Sequence, residues 1–216
     1  MSFLNQLKNQ ASSLQRRQGL LHVEREQSVA ATEVACSLVH EYLQDLARQL
    51  SVIEPAAPAL SLDGKTPWPA MKLATFRVDA RRKTVDEREV IGTISMGWDI
   101  VPQAPGGPFH GSISANFPPD LERVESRLSL GQVKNDRREV RHAEKGSLLA
   151  IRFDYLVQAR GHVGITADHE QGTLAFRLLN ASGFAVVNTQ YPADRINAAL
   201  LDELARLIVS QPSSFV

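Results

Sequence analysis

The densest run of residues able to do chemistry is His162, Asp168, His169 and Glu170. Imidazoles with carboxylates suit zinc or manganese, provided that three or four donors converge on one point. Here Gly172 closes the stretch, and neighbours on a tight turn point in different directions. The spacing favours a solvated hairpin in which Asp168 bonds local backbone and Gly172 supplies a positive φ. His162, Asp168 and His169 stand as the candidate ligands, but no metal or other cofactor is expected. Cys36, the only cysteine, falls on an apolar helical seam, where a buried thiol is the usual outcome. No Gly-x-Ser-x-Gly elbow is present to build a nucleophile. Gly106-Gly107 lies between Pro105 and Pro108 and opens no helix, so it does not read as a phosphate cradle. His110, on the polar side of an apparent strand, reads as hydrated.

Two further groups bear on binding. Residues 134–145 gather Lys134, Arg137, Arg138, Arg141, His142 and Lys145 but interleave Asp136, Glu139 and Glu144. Lacking aromatics for base stacking, this run describes a solvated hairpin guarding an edge strand, and nucleic acid is not an expected partner. Trp98, Phe109, Phe153, Tyr155 and Phe176 stand on the apolar sides of apparent strands and are the candidate contacts for a small apolar ligand.

The elements that must position these residues fall into three regions. Residues 1–54 read as helix. Ser2 caps a first short helix carrying Leu4, Leu7, Ala11 and Leu14, and Gly19 interrupts it. A second helix begins near 22–27, with a seam of Val29, Thr32, Cys36, Val39, Leu43, Leu46, Leu50 and Ile53. Val34, Leu38 and Tyr42 widen the stripe, which suits packing on a sheet or in a bundle better than a two-stranded zipper. As one helix, residues 22–53 would span about 48 Å, comparable with the roughly 44 Å width of a domain this size. Such a helix crosses the body or protrudes.

Residues 55–70 form a connector rich in Pro and Ala, onto which Trp68 is expected to be anchored by packing. Residues 71–216 carry the sheet. Apolar residues alternate with polar ones at 74–78, 94–100, 109–117, 151–157 and 174–187, the mark of antiparallel strands covered on one face. Hairpin turns are expected at 106–107, 168–172 and 180–183. Residues 121–130 fit either helix or strand, and the interleaved Arg123, Glu125, Arg127 and Ser129 favour strand. A last helix, capped by Asp194, presents Ile196, Leu200, Leu204, Leu207 and Ile208 and stops before Pro212. The predicted fold is α+β: an antiparallel sheet of about six to eight strands, covered on one face by long N-terminal helices and a C-terminal helix.

Composition narrows the function classes. Lys plus Arg equals Asp plus Glu at 24 each, which argues against a strongly cationic nucleic-acid binder. With 216 residues, 43% of them hydrophobic, the chain buries a core without disulfide or metal support. A single cysteine, polar residues through 1–10 and no apolar run of about 18 residues point to a reducing, cytoplasmic setting away from membranes. The leading expectation is a non-catalytic interaction or assembly protein, homo-oligomeric through its N-terminal helices and weakened when Leu43 and Leu46 become charged. The alternative is a binder of small apolar ligands, with a cavity between sheet and C-terminal helix. That outline is similar to helix-grip proteins, although here two helices precede every strand.

Overall fold

A computed structural model describes residues 3–104, 106 and 109–216, with three α-helices and eight strands in two antiparallel sheets. The fold is α+β. Helix α1 (Phe3–Ile53) runs unbroken for 51 residues, about 76 Å at the α-helical rise. The expected interruption at Gly19 does not occur. One helical glycine costs only about 1 kcal/mol against alanine, and no proline accompanies it. The expected cap, Ser2, lies outside the described residues. Val29, Thr32, Cys36, Val39, Leu43 and Leu50 are buried, joined by Ala35 and Ala47. Ile53 and Val34 stay 65% and 71% exposed, so the buried stripe is narrower than the sequence suggested. Tyr42 is half-buried and donates to Asp202 Oδ1 at 2.7 Å. Glu54 turns to φ +46 and Pro55 follows, which ends the helix.

Strands β1 (Met71–Val85) and β2 (Arg88–Pro102) form a long hairpin, and β3 (His110–Ala115) follows. Next come α2 (Pro118–Leu130), β4 (Asn135–Arg141), β5 (Leu148–Leu156), β6 (Ala159–Asp168), β7 (Thr173–Leu179) and β8 (Val186–Pro192). The larger sheet has the order β1-β2-β6-β7-β8 and the smaller β3-β5-β4. Because β2 pairs with β1 and β6 while β3 pairs with β5, the stretch around Gly106 crosses between sheets. Gly107 of the expected hairpin lies outside the described residues, and β2 and β3 on either side belong to different sheets, so no hairpin joins them. The turns at 168–172 and 180–183 do join paired strands, β6 to β7 and β7 to β8.

Register explains the core. Ile94, Ile165 and Phe176 are cross-strand partners, as are Met96, Val163 and Leu178, and all six are at most 2% exposed. Side chains of this kind contribute about 1.5–3 kcal/mol each on burial. Helix α1 and the C-terminal helix α3 (Ala198–Ile208) belong to the same core through Val39, Leu43, Leu201, Leu204 and Ile208.

Two local assignments change. Residues 118–130 are helix, not strand: two prolines open α2, and Val124 and Leu128 are buried four residues apart. The interleaved charges that suggested a strand occupy the rest of a narrow-striped helix, where Arg123 reaches Asp120 at 2.7 Å. Asp194 belongs to a short 3-10 turn, and Asn197 caps α3 by accepting from Leu200 N at 3.0 Å. Beyond α3, Phe215 is fully buried against Phe176 and Tyr191. Trp68 is anchored as expected, stacked on Tyr155 and edge-on to Phe184.

Candidate functional site

Two regions of the surface differ from ordinary solvated exterior. The first is the N-terminal part of α1. Every described side chain from Lys8 to Gln27 is exposed, and Val29 is the first buried one. From Lys8 to Val23 the helix therefore runs about 24 Å with its described side chains in solvent. Their base is clamped by two hairpin tips. Arg25 reaches Asp86, in the β1–β2 turn, at 3.1 Å and Glu170, in the β6–β7 turn, at 2.8 Å. Ser28 Oγ donates to the His169 carbonyl at 2.9 Å, and a Cβ on Gly172 would meet that hydroxyl at 2.9 Å. Glu33 accepts the Ile91 amide at 2.9 Å. The direction of the arm is thus fixed by side chains on one turn of helix after another.

The candidate metal ligands divide at this base. His169 is buried at 1% exposure, and neither ring nitrogen has a hydrogen-bond partner. Its Nε2 lies 3.6 Å from Glu33 Oε2, too far for a hydrogen bond. Burial and the Lys83 ammonium hold its pKa below the usual imidazole value, against the pull of Glu33 and Asp168. Asp168 Oδ1 accepts from the amides of Glu170 and Gln171, the local turn its sequence implied. His162 stands on the opposite face of the sheet, since strand alternation separates it from the buried Val163. Among the described residues no three His, Cys, Asp or Glu side chains gather as metal ligands do. Cys36 is equally quiet. Burial, reinforced by Glu33 and opposed by Lys83, pushes its thiol up to about 12, so it stays protonated near neutrality.

The five aromatic candidates sit in separate clusters. Trp98 stacks with Phe76 at 6.2 Å, and Tyr155 with Trp68 at 5.8 Å. Phe176 meets Phe215 edge-on at 5.4 Å, so the C-terminal tail occupies space between β7 and the last helix. Phe153 is a core residue, and Phe109 lines a surface cleft of about 280 Å³ with Val101 and Leu156. His110 is exposed, and so is every residue of β4, where Arg137, Arg138 and Arg141 pair with Glu125, Asp136 and Glu139.

The second unusual region is the outer face of the larger sheet. Gly97 pairs with His162 and with Arg77, and Asp99 pairs with Arg160. Around them lies a depression of about 430 Å³ whose lining also includes Thr75, Gln132 and Leu179. Two of its rim residues hold left-handed backbone, Thr75 at φ +56 and Gln132 at φ +50. That conformation costs a β-branched threonine about 1–3 kcal/mol. Thr75 lies in a register shift between β1 and β2, which supplies the local constraint. Beneath, the Trp98 indole covers Gly161 so closely that a Cβ there would fall 2.0 Å from the ring. Arg160 spans the rim, 3.5 Å from Asp99 and 3.3 Å from the Gln132 side-chain oxygen.

Comparison with known protein families, curated proteins and solved structures finds no match. The helix seam exposed the first region to sequence reading. The second was missed, because Arg77, Gly97 and Arg160 come from three strands and acquire meaning only when paired. No helix among the described residues is long and apolar enough to cross a membrane.

Proposed function

We propose that this is a non-catalytic assembly protein whose projecting helix docks against α1 of a second copy. The supporting observation is the exposed stretch of α1, which stands clear of the body while keeping an apolar sequence repeat. Leu14 is 55% exposed on the arm; Val23 and Val34 remain open further along. Helices in proteins gain most of their stability by packing an apolar face, not from propensity. Apolar side chains along such a segment call for a partner surface.

The charges favour a second copy lying antiparallel. Positions 1–23 include Lys8, Arg16 and Arg17 and no Asp or Glu, whereas Glu24, Glu26, Glu41 and Asp45 follow. Antiparallel helices bring the cationic stretch of one beside the acidic stretch of the other. Leu43, which sequence alone offered as an interface residue, is fully buried against the sheet and would report folding instead.

Light scattering at tens of micromolar tests the proposal. The intact chain is expected to be dimeric or larger, and a variant lacking residues 1–21 monomeric, with the strand signal in circular dichroism retained. A monomeric intact chain, or an unchanged oligomer after truncation, overturns it.

A further inference from the structure

The depression on the outer face of the larger sheet is independent of the arm and has its own chemistry. Its lining contributes two guanidinium groups, Arg77 and Arg160, against one carboxylate, Asp99. Arg160 is already engaged with Asp99 and Gln132. The Arg77 side chain has no ion pair or hydrogen bond among the described residues. Arg177, on the neighbouring strand, adds a third cation: together with burial it holds the His162 pKa down. At the centre, Gly97 leaves the floor open. A Cβ there would find only the Gly161 carbonyl, at 3.9 Å, so space is present that the sequence does not fill. Leu179 supplies an apolar wall, and the left-handed residues Thr75 and Gln132 sit on the rim.

A register shift accounts for Thr75 by itself. It does not account for an unpaired arginine beside an unfilled floor. Guanidinium groups pair best with planar or tetrahedral oxyanions, through two parallel N–H donors. We infer that this depression binds a small oxyanion, a carboxylate or phosphate monoester carried on a compact apolar group, with Arg77 as its principal contact and Leu179 against the apolar portion.

Calorimetry and amide chemical-shift titration at low ionic strength decide this, using phenyl phosphate, benzoate, inorganic phosphate and benzylamine with the full chain. Phenyl phosphate or benzoate should bind and shift the amides of Gly97 and His162; the tighter of the two names the anion. Arg77→Gln should weaken that binding roughly tenfold or more, as expected for a lost charge-assisted bond. Gly97→Val, which fills the floor on the solvent face, should abolish it while circular dichroism and the thermal midpoint stay put. Inorganic phosphate alone should bind more weakly than its phenyl ester. The inference is overturned if neither aryl anion binds at millimolar concentration. It is also overturned if benzylamine binds equally well, or if both variants bind like the parent.

Discussion

The two halves of α1 have one backbone geometry and opposite physical roles. From Val29 to Leu50 the helix turns a seam into the body and is held by core packing and side-chain bonds to two hairpins. From Lys8 to Gln27 every described side chain is in solvent. Sequence pattern alone hardly separates them, because leucines recur at helical spacing in both. What separates them is whether a sheet lies opposite. A seam is evidence of a partner surface, and only the fold shows whether that surface belongs to the same chain.

Charging equivalent seam positions separates the roles of the two halves most strongly. Leu43→Glu places a carboxylate at a fully buried position. It should cost about 4 kcal/mol or more and lower the urea midpoint steeply. Leu14→Glu should dissociate the oligomer in light scattering, yet on dilution to where the parent is also monomeric it should cost no more than about 0.5 kcal/mol. Equal loss of stability in both variants would mean that the arm is folded onto the body in solution.

The same contrast explains what could be read without coordinates. The strands at 94–100 and 174–178 were legible because burial on one face forces period two on their residues. The seam from Val29 to Leu50 was legible for the matching reason at period near four. Residues 118–130 misled because Val124 and Leu128 alone are buried there, and a narrow stripe with alternating charges fits both periods. The crossover near Gly106 misled because adjacent glycines mark a turn without saying which strands it joins. Nothing announced the β1–β2 turn, where Asp86 and Glu87 both take positive φ in place of the usual Asn-Gly. The outer depression was illegible because Arg77, Gly97 and Arg160 lie far apart in sequence on three different strands, and no periodicity records which residues a sheet pairs.

A gentler perturbation acts on the joint between the halves. His169 lies under the base of the arm, facing Glu33 from α1, Lys83 from β1 and Asp168 from its own turn. Its folded pKa is below the unfolded value of about 6.5, so the unfolded chain takes up the proton first as pH falls. Stability is therefore complete above about pH 6.5 and declines as the pH drops from there toward the folded pKa. Urea unfolding at about pH 7.5 and about pH 5 should show this loss, and His169→Leu should reduce the difference. His162, whose pKa is also depressed by burial and Arg177, contributes in the same direction, and His162→Asn isolates its share. An acid loss unchanged in both variants would assign it to carboxylates.

The mildest of these changes is at Arg25, at the base of the arm. Its contacts with Asp86 and Glu170 are short, but all three side chains are between 44% and 68% exposed. Screened pairs of this kind are worth at most about 1 kcal/mol, so Arg25→Ala should barely move global unfolding. Its consequence is local. With the guanidinium gone, only the longer 3.7 Å pair of Glu26 with Arg88 and the Ser28 hydrogen bond hold the base, and the helix end is freer to fray. Hydrogen exchange at the amides of residues 22–28 should quicken, while amides near Leu43 keep their protection. If exchange quickens equally at both ends, the two halves behave as one cooperative unit, and the division drawn at the hairpin tips is wrong.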